Sequence, residues 1–103
     1  MNSERAMEIL KNRMEMAEES PYLDPLDEWR DEMPKILSQN QQETEKFLSE
    51  RTSRELFFLG EIFDDIAYEF KTPSFIQFLR KLHEKHPDAE LEEDIRRAEE
   101  AIE

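Results

Sequence analysis

The chain has 103 residues, of which 27 are acidic and 14 are Lys or Arg, and its formal net charge is −13. This length fits one domain over residues 1–103, and the charge disfavours binding to DNA, RNA or anionic membranes. The chain has no cysteine and only one glycine, which excludes disulfides, thiolate metal sites and glycine-rich phosphate loops. No apolar run approaches the roughly 20 residues of a membrane span, and the N-terminus lacks a secretion signal, so we expect a cytoplasmic protein.

The first part of the chain predicts two helices. Ser3 is the predicted N-cap of a helix that ends near Glu19, because a serine side chain can accept a hydrogen bond from the first helical turn. The apolar face of this helix consists of Ala6, Leu10, Met14 and Ala17. Asp24-Pro25 is a typical start of the second helix, since proline loses no hydrogen bond at the first helical position. The apolar face of the second helix consists of Leu26, Trp29, Met33 and Leu37.

Pro34 interrupts the pattern of the second helix. The residue before a proline is disfavoured in helical conformation, so we expect Met33 to leave it and the helix to break or kink there. After this point, Asn40 is the predicted N-cap of a short helix that presents Phe47 and Leu48 to the core.

The strongest helical pattern begins at Thr52, which has capping-box spacing to Glu55. Apolar residues then follow at steps of three and four: Leu56, Leu59, Phe63, Ile66 and Phe70. Thr72-Pro73 starts another helix, Pro87 limits its end, and a final helix follows with its own apolar face. The apolar residues of these two helices are Phe75, Ile76, Leu79, Leu82, Leu91, Ile95, Ala98 and Ile102.

These patterns predict an all-α fold, a single compact domain of five or six short helices. The mean hydropathy of −0.91 and the 40% of charged residues lean toward a disordered chain. The regular spacing of the apolar residues favours a folded domain instead, and the absence of valine disfavours strands. Residues 51–87 carry equal numbers of acids and bases, so the core is expected there, between two acidic ends.

Catalytic and metal signatures are weak. His83 and His86 have the i, i+3 spacing of two ligands on a helix, but a histidine site needs a third ligand, and histidines near a helix end also suit its dipole. Four acids of one helix are open to interpretation as a carboxylate metal site or as a solvated face: Glu61, Asp64, Asp65 and Glu69. Because no Glu-x-x-His motif accompanies them, we expect no metal, no cofactor and no enzymatic activity.

A first candidate partner-binding surface lies opposite the apolar face of the helix that starts at Thr52. Phe57, Glu61, Asp64 and Tyr68 follow one another there at steps of four, three and four, with Asp65 adjacent. Aromatic anchors flanking carboxylates suit an interface that selects a cationic partner. The alternative is that the two aromatic side chains pack under a neighbouring helix.

A second candidate surface lies within residues 15–32. Its acids are Glu15, Glu18, Glu19, Asp24, Asp27, Glu28, Asp31 and Glu32, with Arg30 as the basic neighbour. Tyr22 lies in the proline-bounded loop and is the candidate exposed anchor, whereas Trp29 is expected in the core. The partner-binding residues predicted from this surface are Tyr22, Asp24, Asp27, Glu28 and Asp31.

The second half of the chain also contains three motifs in order. They are Glu61-Ile62-Phe63-Asp64-Asp65-Ile66-Ala67, Ser74-Phe75-Ile76 and His86-Pro87-Asp88, within residues 52–102. Together they resemble small bacterial immunity proteins, the cytoplasmic antidotes of contact-dependent and other polymorphic toxins. The resemblance implies an inhibitor that binds a toxin domain tightly and blocks its active site, often that of a nuclease.

The charge agrees with this implication, because a nuclease holds its polyanionic substrate in a basic cleft that an acidic protein complements. The expected partner is therefore a basic toxin domain, with no direct binding to nucleic acid or membrane. Three alternatives remain open at this stage. They are an acidic DNA mimic that inhibits a nucleic-acid enzyme, a helical adaptor subunit without inhibitory role and, more remotely, a hydrolase or metalloenzyme.

Overall fold

A computed structural model describes residues 1–19 and 27–103. Seven α-helical segments occur there: α1 (Ser3–Glu19), α2 (Met33–Leu37), α3 (Gln41–Ser49), α4 (Ser53–Leu59), α5 (Phe63–Phe70), α6 (Pro73–Lys85) and α7 (Glu92–Ile102). A π-helical segment, Glu28–Glu32, runs directly into α2, and a 3-10 turn, Gly60–Ile62, joins α4 to α5. The seven segments therefore form six continuous helical units. The described ranges contain no strand, so the all-α prediction of five or six helices is confirmed.

Two helices begin at the caps that the sequence predicts. The Asn40 side chain accepts a hydrogen bond from the backbone N–H of Glu43 at 3.0 Å. Thr52 and Glu55 form a complete capping box at the start of α4. The prediction for α1 was wrong by one position, because the Asn2 side chain caps the first turn and Ser3 is already helical. The predicted helix start at Asp24-Pro25 lies outside the described residues.

Pro34 is accommodated by a widened helical turn. Met33 keeps helical angles (φ −59°, ψ −47°), so the prediction that it leaves the helical conformation was wrong. In an α-helix the residue at position 34 would donate its N–H to the carbonyl of Arg30, and a proline ring clashes with that carbonyl. The π turn, closed by the Met33 N–H on the Glu28 carbonyl, makes room for the ring.

The core runs through all seven α-helical segments, so the prediction that it lies in residues 51–87 was too narrow. On α1, Ala6 and Leu10 are buried as predicted, whereas Met14 and Ala17 are only partly buried. Leu56, Leu59, Phe63 and Ile66 are fully buried, whereas Phe70 packs against the core only partly. Trp29 is 2% exposed, as its place on the apolar face predicts. Helix α5 packs most extensively against α7, with further contacts to α2 and α6. This packing fixes α5 on its buried side and leaves its outer side as surface.

Three local contacts tie helical segments of the fold to one another. Arg5 on α1 donates two hydrogen bonds to the Glu32 carboxylate, at 2.6 and 2.8 Å. The buried Thr44 hydroxyl donates to the Leu37 carbonyl at 2.5 Å, which ties α3 to α2. At the 3-10 turn, α7 approaches so closely that a Cβ on Gly60 would lie 2.1 Å from a carboxylate oxygen of Asp94.

None of the helices in the described ranges combines the length and the apolar composition that a membrane span needs.

Candidate partner-binding groove

Residues from both acidic surfaces predicted from the sequence line one groove. The groove has a volume of about 440 Å³ and lies between α5 and the second helical unit, which comprises residues 28–37. Its lining consists of Arg30, Asp31, Pro34, Lys35, Ser38, Asp65, Tyr68 and Glu69. Asp31 comes from the second predicted surface, and Asp65 and Tyr68 come from the first. The fold thus brings Asp31, Asp65 and Tyr68 to one groove, although the sequence analysis assigned them to two separate surfaces.

Each wall of the groove is positioned by buried neighbours. On one wall, Trp29 and Met33 are inserted in the core on either side of Asp31, which is exposed on the π-helical segment. On the other wall, Ile66 and Ala67 are buried between the exposed Asp65 and Tyr68. Because these anchors hold both walls to one core, the groove is a preformed feature of the fold.

Burial and the negative charges of the groove affect the pKa of Asp65. Partial burial of its carboxyl raises the pKa above the ordinary value, and the negative charges of Asp64 and Asp31 raise it further. In the described residues neither Asp31 nor Asp65 takes part in an ion pair. A cation placed between them would relieve this repulsion, so the site favours a positively charged ligand group.

Charges of both signs line the groove. Arg30 and Lys35 lie on it together with Asp31, Asp65 and Glu69. A partner is therefore expected to match a pattern of charges, which gives register and specificity in addition to attraction.

Tyr68 is the exposed aromatic residue of the groove, with 54% of its surface accessible. It does not pack under a neighbouring helix. The Lys71 ammonium lies 4.8 Å from the centre of its ring. Lys71 ends α5 in the left-handed conformation, with φ of 54°.

The remaining residues of the first predicted surface lie elsewhere. Phe57, 50% exposed, lines a second groove with Ser53, Arg54, Phe58 and Asp88. Its ring meets that of Phe58 edge-on at 5.5 Å between centroids. The 3-10 turn at Gly60–Ile62 separates this part of the chain from α5, so the regular steps of four, three and four do not extend along one straight helix.

The two acids that follow Phe57 on the predicted surface are also outside the groove lining. Glu61 pairs with Arg13 of α1 at 3.0 Å, so its charge is already balanced inside the chain. Asp64 is half-buried and accepts a hydrogen bond from the Asp65 N–H at 3.0 Å. Binding of a partner through these two residues stays a prediction.

The second predicted surface is only partly described. Tyr22 and Asp24 lie outside the described residues. Asp27 is exposed, and Glu28 lies 3.9 Å from Arg5. Asp31 is the residue of this set that reaches the groove.

Sequence reasoning missed several lining residues. Pro34, Lys35 and Ser38 follow Asp31 at helical spacing, which is the signal that could have placed them on the same wall. Lys71 follows Tyr68 by three residues, so the same spacing could have suggested this contact, although the spacing does not reveal that α5 ends there.

The histidines lie away from the groove, near the end of α6. The His86 ring nitrogen is 2.7 Å from the Ser53 hydroxyl, which joins this end of α6 to the start of α4. The described residues contain no group of three His, Asp or Glu side chains placed to hold a metal ion.

Comparison with known proteins adds no relative. No protein family model matches the chain, and neither a curated protein nor a solved structure matches it.

Proposed function

We propose that the chain is an immunity protein that binds a cognate bacterial toxin domain and neutralises it by covering its basic active-site cleft. The toxin domain best suited to this role is a nuclease. The observation that carries the proposal is the convergence of Asp31 and Asp65 beside the exposed Tyr68, in a chain with a net charge of −13. The resemblance of residues 52–102 to bacterial immunity proteins supports the same conclusion.

The charge of the whole chain supports fast association with a basic partner. A strongly acidic protein is steered toward a cationic cleft, and the rate gained in this way falls as salt is added. The substrate of a nuclease is attracted to the same cleft by the same charges. An acidic protein that docks first therefore excludes the substrate both sterically and electrostatically.

The groove supports a slow dissociation. Tyr68 offers an aromatic anchor at low conformational cost, and Asp31 and Asp65 flank it with carboxylates that lack an ion-pair partner within the described ranges. Both walls are anchored in the core, so little ordering is required when a partner binds. Occlusion of this kind needs no chemical step from the inhibitor.

The test begins with the product of the gene adjacent to that of this chain. The two proteins are co-expressed, co-purified and tested for rescue of cells that produce the toxin domain. Binding and rescue are expected. If no neighbouring toxin domain is bound or neutralised, the proposal fails.

Charge reversal then locates the surface. In the double variant Asp31→Lys/Asp65→Lys, the association rate constant at low salt is expected to fall by about tenfold or more. The matched control is Glu84→Lys/Glu92→Lys, which changes the net charge equally at exposed sites on α6 and α7. Equal losses in both variants would mean that the groove has no special role. Inhibition of unrelated DNA-binding proteins would instead indicate a DNA mimic.

A further inference from the structure

We propose that Tyr68 receives an arginine or lysine side chain of the partner, in the place that Lys71 occupies in the free protein. This inference rests on the proposed function, because it names the chemical group by which the partner enters the groove. It makes Lys71 an internal competitor that a stronger cation displaces.

Tyr68 already contacts a cation of its own chain. The Lys71 ammonium lies 4.8 Å from the centre of the Tyr68 ring, within the distance at which a cation is attracted to an aromatic face. The chain therefore already places a cation on this ring. An exposed tyrosine that holds a cation of its own chain is chemically able to hold one from a partner.

The second argument is the backbone of Lys71. Its φ of 54° lies in the left-handed region, where glycine is the residue normally found after the last turn of a helix. A side chain with a Cβ costs free energy in this conformation. Lys71 nevertheless adopts this conformation, and in it the ammonium group lies beside Tyr68.

The third argument is charge. Asp65 is one turn before Tyr68 on α5, and Asp31 faces it from the other wall. A guanidinium group that enters this groove meets the ring and the two carboxylates in one place, whereas no ion pair in the described residues joins Lys71 to either carboxylate. Arginine stacks on aromatic rings and pairs with carboxylates through the same planar group, so it is the better competitor.

The experiment uses the full chain labelled with ¹⁵N and a single-residue probe, Nα-acetyl-arginine N-methylamide. Its neutral isostere, Nα-acetyl-citrulline N-methylamide, is titrated in parallel at matched ionic strength. We expect the arginine probe to shift the backbone signals of Asp65, Tyr68 and Lys71 in a saturable way. The citrulline probe is expected to shift them much less. Equal effects of the two probes, or none, would overturn the inference.

Three variants test the displacement. Tyr68→Leu should weaken binding of the probe by about two- to fivefold, the range of an exposed cation–π contact, whereas Tyr68→Phe should preserve it. Lys71→Gln should strengthen binding by a similar factor, because the competitor is gone. The matched control, Lys81→Gln on the exposed side of α6, removes the same charge without touching Tyr68. Equal gains in both lysine variants would overturn the displacement.

The two proposals fail in different ways. If the toxin domain is bound and the Asp31→Lys/Asp65→Lys variant loses it, but the arginine probe does not bind, only the cation site is refuted. If the arginine probe behaves as expected and no toxin domain is neutralised, the cation site stands and the proposed function is refuted.

Discussion

Gly60→Ala tests the close approach of α7 to the 3-10 turn that separates α4 from α5. At φ −53° and ψ −31°, an alanine would be comfortable on the backbone and would by itself stabilise the fold by about 0.5–1 kcal/mol. The added Cβ, however, would lie 2.1 Å from Asp94 Oδ2 and 2.8 Å from Asp94 Cγ. Both distances are far below van der Waals contact, so the carboxylate must move.

The Asp94 side chain has little freedom to move. Only 16% of it is exposed, it pairs with Arg97, and Leu91 Cδ2 would lie 3.3 Å from the same Cβ. Overpacking of this kind costs about 1–3 kcal/mol. After the backbone gain is subtracted, we expect Gly60→Ala to lower the free energy of unfolding by about 1–2 kcal/mol.

The assay is urea denaturation followed by circular dichroism, with Asp94→Ala as the second arm of a double-mutant cycle. In the Asp94→Ala background the main obstacle is absent, so Gly60→Ala is expected to be neutral or to stabilise the fold by up to about 0.5 kcal/mol. The resulting coupling energy is about 1–2.5 kcal/mol. A Gly60→Ala protein as stable as the wild type, or equally destabilised in both backgrounds, would refute the reasoning.

Three further predictions concern stability. Because its raised pKa means that the folded state holds the Asp65 proton more tightly than the unfolded state, the charged carboxylate destabilises the fold at neutral pH. Asp65→Asn should therefore raise the urea midpoint at pH 7, and this gain should disappear as the pH falls through the raised pKa. Glu69→Gln on the same helix is the control. A gain in the Asp65→Asn protein that persists in acid would contradict the explanation. Thr44→Val should cost about 1–2 kcal/mol, since it removes the buried hydrogen bond to α2, whereas loss of the exposed Ser49 hydroxyl should cost less than about 0.5 kcal/mol. Glu90 has φ of 56°, so Glu90→Gly should raise the melting temperature through a gain of about 0.5–1 kcal/mol, and Glu90→Ala, which keeps a Cβ, should show no such gain.

Local structure was largely predictable from the sequence because it depends on neighbours in the chain. The caps at Asn40 and Thr52 are examples, since each is decided by a hydrogen bond to a residue three positions later. The apolar spacing from Leu56 to Ile66 also predicted burial correctly. The spacing alone did not reveal the 3-10 turn, because residues on both sides of the turn are buried at the same steps of three and four.

The groove was predictable only in its parts. Asp31 and Asp65 were both candidates, but their meeting depends on the packing of the second helical unit near α5, which no short-range pattern encodes. The π turn before Pro34 was missed for a related reason. A proline rule describes an isolated helix, whereas here Trp29 and Met33 are held in the core on both sides of the turn, and this burial keeps the helix continuous.

The widened turn means that Pro34 determines the direction of the Asp31 side chain, three residues earlier in the chain. The hydrogen bond of the π turn spans one residue more than that of an α turn. If position 34 were not proline, this part of the chain could also form a regular α-helix, in which the residues are shifted by one position. In that α-helix the residues before the turn are rotated by roughly 100° relative to α2. Asp31 would then point away from Asp65, but Trp29 would leave the core at the same time, so Pro34 and the burial of Trp29 together hold Asp31 at the groove.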